Sequence, residues 1–259
     1  MRIDFHAQEN KTTYTGRGAS SEWREFISGF VDVRGRVAAD IGCGGGIYTR
    51  ALVELGVAQV YAVDFSTAML EGAREACGGI EAISFHQGTA VATGLGDATC
   101  DLVLERAVIH HLDAYDQNCA ELFRILKPGG QLVIQDRTMA DVQQPPSVEH
   151  IRGYFFQVFP HLLETEGSRR PDDEQLQQAL TSSGFIGVQS HTLWETRKTY
   201  LKRADLADDI LKRTGRSLLH ALTDDELQQL VDYLEGHLPE GNLVEKDRWT
   251  VWTAERPVD

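Results

Sequence analysis

The run Asp40-Ile41-Gly42-Cys43-Gly44-Gly45-Gly46 follows a short apolar stretch and opens a helical pattern. Glycines at 42, 44 and 46 let the chain turn sharply and let a ligand approach the backbone without meeting a Cβ. The helix that follows presents aligned N–H donors at its start. Asp64 closes the next apolar run, where a carboxylate can accept both hydroxyls of a ribose. The chemistry these residues suit is the binding of a nucleoside-bearing ligand. A dinucleotide fingerprint would need its third glycine at position 47, and Ile47 stands there. Asp40 adds negative charge at the loop, which suits an ammonium or sulfonium and repels a diphosphate. A nicotinamide oxidoreductase is disfavoured on both counts.

Positioning such a loop takes strands and helices in alternation. Candidate strands are Val37–Ile41, Gln59–Asp64, Ala82–His86, Asp101–Glu105 and Gln131–Asp136, short and rich in Val, Ile and Leu as buried parallel strands are. Between them Tyr48, Ala51, Leu52 and Leu55 fall on one helix face, and Cys119, Leu122, Phe123 and Leu126 repeat the spacing. Ser66 and Asp113 stand where helix N-caps are expected. Lys127-Pro128-Gly129-Gly130 should stop a helix and turn into the next strand. The pattern predicts a doubly wound α/β sheet. An amphipathic helix bearing Trp23, Phe26, Ile27 and Phe30 precedes it. After it come an aromatic-rich segment at 151–163, a helix around Asp172–Leu180, and a strand from Phe185 toward Trp194. Tyr200–His237 reads as two or three helices, one opened by a Thr223/Glu226 capping box, and Arg248–Glu255 as a final strand.

The 259 residues are 42% hydrophobic and 25% charged, enough for a substantial core and too apolar for a disordered chain. A formal net charge of −14 argues against a partner with a phosphate backbone or an anionic membrane surface. Cys43, Cys77, Cys100 and Cys119 form no C-x-x-C pair, so neither a disulfide framework nor a metal site is expected. The opening MRIDFHAQEN has no apolar signal core, and no stretch approaches the roughly 18 apolar residues of a membrane span, which points to a cytoplasmic protein.

The ordered set resembles the class I S-adenosylmethionine-dependent methyltransferases of the small-molecule, UbiE-like kind. It comprises Asp40-x-Gly42-x-Gly44-x-Gly46, Asp64, the segment Asp101 to Leu112 containing His110-His111, and Leu126-Lys127-Pro128-Gly129-Gly130. The resemblance covers roughly residues 35–136. It implies a Rossmann-like seven-stranded sheet of order 3-2-1-4-5-7-6 with the last strand antiparallel, and S-adenosyl-L-methionine as methyl donor. It also implies residues 1–30 as an arm and helix over the cofactor site, and residues 31–259 as the methyltransferase domain, with lid insertions at about 138–170 and 198–243. The methionine half of the cofactor falls against Gly42 and Gly44, with Cys43 and Gly46 also in the cofactor loop and Asp40 facing its amino group, directly or through water. Asp64 takes the ribose, with Phe65 and Met69 beside the adenine. Arg106 and His111 lie past strand four, on the methionyl side. Family members usually carry an acidic residue after the glycine that follows strand three. Here the run is Gly88-Thr89-Ala90, so a hydroxyl replaces a charge-assisted acceptor for the adenine amine.

The methyl acceptor should sit beyond the carboxyl ends of strands four and five. His110, His111 and Tyr14 are the candidate catalytic residues; a base is needed only if the acceptor must lose a proton. Asp136 is expected to accept backbone N–H bonds at a strand end, with Arg137 paired to it. The Tyr154/Phe155/Phe156/Phe159 cluster is expected to pack a lid helix. The acidic balance and the absence of an Asn-Pro-Pro-Tyr type segment favour a small-molecule acceptor over nucleic acid, in a monomer or homodimer. The alternative is a non-catalytic module that binds S-adenosylmethionine or S-adenosylhomocysteine.

Overall fold

The computed structural model describes residues 18–258. Seven strands form one sheet of order β3-β2-β1-β4-β5-β7-β6. They are β1 (Val37–Ile41), β2 (Gln59–Asp64), β3 (Ile83–Gln87), β4 (Cys100–Arg106), β5 (Leu126–Asp136), β6 (Ile186–Tyr200) and β7 (Leu243–Glu255). The first five are parallel, and β7 runs antiparallel between β5 and β6. The expected strand order and the antiparallel β7 are therefore observed. The chain reverses direction of travel between β1 and β4, leaving a crevice beyond the strand ends at that point.

Helices cover both faces: α1 (Ser21–Phe30), α2 (Ile47–Glu54), α3 (Thr67–Cys77), α4 (Asp116–Ile125), α5 (Met139–Val142), α6 (Arg152–Val158), α7 (Leu162–Gly167), α8 (Asp173–Ser182), α9 (Arg203–Leu211) and α10 (Asp224–Glu235). Ser66 caps α3 by accepting from Met69 N–H, and the Thr223/Glu226 capping box opens α10. Asp113 caps nothing: α4 starts three residues later, after a 3₁₀ turn at Ile109–His111 displaces the helix start. Lys127–Gly130 makes the expected turn within the start of β5: Gly129 takes φ +74°, and the pairing with β4 jumps from Cys100–Leu126 to Leu102–Gln131. Leu126 already pairs with Cys100, and Gly129 N–H donates to Arg256 O.

Two cores sandwich the sheet. One includes Ile41, Val103, Ile134 and Trp252; the other packs Trp23 and Ile27 of α1 with Leu52, Val60 and Leu104. A third core, away from the sheet, joins the two stretches expected to be lid insertions. Phe155, Phe156 and Phe159 meet Leu206, Ile210, Leu230 and Leu234 there, so the aromatic segment is interior packing. β6 and β7 are longer than the sequence pattern suggests. Their pairing runs on to Tyr200–Leu243, carrying the sheet out to meet this helical layer. The extra length alternates charged with apolar residues (Arg197, Glu245, Asp247), which a search for continuous apolar runs passes over.

Candidate active site

A cavity of about 560 Å3 opens beyond the ends of β1, β2, β4 and β5. Gly42, Cys43, Gly44, Asp64, Phe65, Met69, Gly88, Thr89, Ala90 and Arg106 all line it, as do His110 and His111. Gly42 (φ +69°) and Gly44 (φ +51°) take the left-handed conformation. A Cβ on Gly42 would fall 2.2 Å from Val108 Cγ2, whereas one on Gly44 would meet nothing within 4 Å, since it would point into open space. Asp64 accepts from Gly44 N–H and Ser66 N–H, both at 2.9 Å, which fixes its carboxylate at the loop. Phe65 stays 44% exposed, a large apolar surface beside the loop with room for a flat ring.

Two of the loop residues stand elsewhere. Asp40 is buried behind the loop and does not line the cavity; Thr49 Oγ1 of α2 donates to it at 2.5 Å. Burial pushes its pKa up to about 6, against the Thr49 hydrogen bond and with the repulsion of Asp64. It holds α2 to β1, with no direct face on the cavity. Gly46 is also behind the cavity surface, where a Cβ would come 2.9 Å from Cys77 Sγ, so that position is a packing requirement. Tyr14 lies outside the described residues. Gly18 and Ser20, just before α1, do line the cavity, and Trp23 of α1 packs edge-on to Tyr48 at 4.9 Å.

His110 Nδ1 stands 2.7 Å from Asp136 Oδ2. The carboxylate also accepts from Arg137 N–H at 2.7 Å and from Arg170 Nη1 at 3.1 Å. Burial alone would raise the Asp136 pKa, but the charge and hydrogen bond of His110, with Arg170 and the Arg137 N–H, hold it well below the usual carboxylate range. An ionised carboxylate only accepts, so the Nδ1 proton lies toward Asp136. Among the described residues Nε2 has no protein hydrogen-bond partner. The His111 ring lies 4.0 Å from that of His110. Burial, the His110 charge and the nearby Arg169 and Arg170 push its pKa down to about 4, so it is neutral near pH 7.

Arg137 is not paired to Asp136 through its side chain. Its Nη2 donates to Asp247 of β7 at 2.6 Å, and its guanidinium lies 3.7 Å from the centre of the Trp249 ring. Arg106 sits between the Tyr48 and Trp249 rings, 4.2 and 4.1 Å from their centres, and donates to Glu195 of β6 at 2.9 Å. Sequence reasoning passed over Glu195, Asn118 and Glu105. Asn118 of α4 donates to Ala90 O at 3.1 Å and to Glu105 at 2.8 Å, tying the 88–93 loop to β4. Burial, against the Asn118 hydrogen bond and with the charge of Asp136, pushes the Glu105 pKa up to about 8, which keeps it protonated at pH 7. The one signal was a polar residue on the otherwise apolar face of α4.

Residues 39–134 match a family model described as a methyltransferase domain. The demethylmenaquinone methyltransferase of Clavibacter sepedonicus is 28% identical over 204 residues, 72% of this chain and 81% of that protein. That of Staphylococcus aureus is 27% identical over 182 residues, 64% and 75% of the two chains. The chain carries a methyltransferase domain on a class I methyltransferase sheet. The cavity fits S-adenosylmethionine: an open glycine backbone at Gly44, a carboxylate at Asp64, and the Phe65 and Met69 side chains beside them. Among solved structures, the phosphoethanolamine N-methyltransferase 2 of Haemonchus contortus superposes with TM-score 0.64 at 17% identity, over 98% of this chain and 61% of that one. An S-adenosylmethionine-dependent methyltransferase of Mesorhizobium loti gives 0.53 at 19%, over 91% and 97%. At these identities the likeness extends to the fold.

Proposed function

We propose that this methyltransferase acts on a protic small molecule, with His110 as the base and Asp136 as the residue that orients it. The observation that carries the reading is the sharing of one cavity by the glycine loop with Asp64 and by the His110–Asp136 pair. When bound, the cofactor supplies an electrophilic methyl carbon on a positively charged sulfur. Gly44, Asp64, Phe65 and Met69 would hold it, with Thr89 and Ala90 at the adenine edge. His110 Nε2 would take the proton that the acceptor gives up as it is methylated. Asp136 fixes the tautomer and stabilises the imidazolium that results, the arrangement that makes a histidine an effective base. Most of the acceleration comes from alignment: the walls hold donor and acceptor collinear and keep water out.

Gly18 and Ser20 ahead of α1 and the α5–α7 and α9–α10 layers form the cover in this reading, enclosing a cytoplasmic, small-molecule site. The Haemonchus contortus structure holds phosphomonomethylethanolamine, an acceptor-sized molecule, in a protein of the same fold. Among the described residues no helix is long and apolar enough to cross a membrane. The test is a calorimetric titration with S-adenosylhomocysteine beside one with NAD, followed by transfer of labelled methyl to a metabolite mixture. Micromolar binding of the first ligand alone, with one labelled small product that His110→Gln fails to form, is the expected result. Binding with no labelled product from any mixture would return the chain to a cofactor-binding module.

A further inference from the structure

The cavity wall opposite the glycine loop is built of arginines. Arg137 directly follows β5, Arg152 begins α6, and Arg169 and Arg170 stand between α7 and α8; all four line the cavity, with side chains 4–18% exposed. Their partners are too few. Arg137 and Arg152 share Asp247, at 2.6 and 2.8 Å. Arg169 and Arg170 share Glu166, and Arg170 reaches on to Asp136, which His110 also uses. Four guanidiniums thus face three carboxylates, one of them already engaged by a histidine. Beside them Arg197, Lys198 and Arg216 share two carboxylates among the described residues, Glu245 and Asp209, again one cation in excess. This occurs in a chain whose net charge is −14.

The donor count says the same. Arg137 Nε is buried with no partner among the described residues, and no protein acceptor meets Nη1 of Arg137, Arg152 or Arg169. A guanidinium taken out of water without its full complement of acceptors is costly. Burial, with the neighbouring charges of Arg152 and Arg170, pushes the Arg137 pKa down to about 9, the mark of a positive charge short of a counter-ion. The donors left over, Nη1 of Arg137, Arg152 and Arg169, belong to guanidiniums that line one space, and such groups bind a carboxylate or a phosphate through charge-assisted hydrogen bonds.

We propose that the methyl acceptor is a small anion whose carboxylate or phosphate seats on Arg137, Arg152, Arg169 and Arg170. This rests on the methyl-transfer reading, and it names the acceptor's chemical class. The rival occupant is the carboxylate of the cofactor itself, so the decisive measurement is made with that site already filled.

The full-length protein, saturated with S-adenosylhomocysteine, is titrated calorimetrically with inorganic phosphate and with succinate, and with chloride at matched ionic strength. The proposal expects one site for at least one of the two anions and no site for chloride. Arg169→Gln should weaken that binding about tenfold, the worth of one charge-assisted contact, and leave the S-adenosylhomocysteine affinity within about twofold. Arg169 is the arginine to change because Glu166 keeps Arg170 when it goes. Arg169→Lys, which keeps the charge and loses the fork, should show the same direction if the Gln variant does not fold. Phosphate alone in the site identifies a phosphorylated acceptor, and succinate alone a carboxylic acid. Anion binding that vanishes once S-adenosylhomocysteine is present assigns the arginines to the cofactor and overturns the proposal. Cofactor binding with no anion site overturns it too, with the methyl-transfer reading left standing. Failure of S-adenosylhomocysteine to bind sinks that reading and the proposal together.

Discussion

Gly42 and Gly44 stand two residues apart in one loop, both with positive φ, and replacing each by alanine should fail in opposite ways. Left-handed backbone costs an alanine roughly 1–2 kcal/mol at either position. At Gly42 the new methyl would also lie 2.2 Å from Val108 Cγ2, an overlap that must be relieved by moving the loop or the β4–α4 turn. Overpacking of that kind adds about 1–3 kcal/mol, so Gly42→Ala should lose roughly 2–5 kcal/mol of stability. At Gly44 a Cβ meets no protein atom within 4 Å, so the stability loss should stop near the backbone cost. The same methyl enters the space the cofactor needs, and S-adenosylhomocysteine affinity should fall at least about tenfold, some 1.4 kcal/mol. Chemical denaturation and calorimetric titration on both variants separate the two effects. Adding Val108→Ala to Gly42→Ala should recover part of the lost stability, because it removes the atom that clashes. Unchanged cofactor affinity in Gly44→Ala would refute the placement of the ligand across this loop.

Asp64→Asn should keep the fold, since one amide oxygen can still accept from Gly44 or Ser66 N–H, while S-adenosylhomocysteine affinity drops about 10- to 100-fold by calorimetry. His110→Gln should lower kcat by about two to four orders of magnitude and leave cofactor affinity within about twofold. Glu105 has a folded pKa of about 8, above its ordinary value near 4.5. Its protonation therefore stabilises the fold below about pH 4.5, and that contribution is lost as pH rises through 8. Glu105→Gln, which keeps the neutral shape, should match the wild type at pH 5 and exceed it at pH 8.5 by on the order of 3 kcal/mol. Urea midpoints at the two pH values check this, and an equal gap at both would show that Glu105 is ionised in the fold.

What could be read from the sequence was local. The parallel strands, the glycine loop and Asp64 depend on spacings inside windows of about 30 residues, and the structure puts each where the pattern does. Asp40 shows the limit of such reading: adjacency to the loop suggested a carboxylate facing the ligand, but Thr49, in the first turn of α2, captures it from behind. Arg137 shows it again. Its sequence neighbour Asp136 takes only its backbone N–H, and the side chain pairs with Asp247, 110 positions away. The arginine wall has no sequence signature, because Arg137, Arg152, Arg169 and Arg170 come from three elements that meet only after the helical layer has packed its own core.

The arginine wall also bears on why a base is present. A carboxylate forked by two guanidiniums has its lone pairs engaged and is a weak nucleophile, so an anion seated on these arginines is a handle and not the reacting atom. The reacting atom is then a second, protic group on the same molecule. It must reach the neighbourhood of His110, whose Asp136 partner bridges to the wall through Arg170. A handle and a base perturb kinetics differently. Loss of a handle that binds ground state and transition state alike raises KM, whereas loss of a base lowers kcat. Arg169→Gln and His110→Gln should therefore separate along those two axes once an acceptor is in hand. If His110→Gln left kcat untouched, the anion itself would be the nucleophile, and the product would be a methyl ester that needs no base.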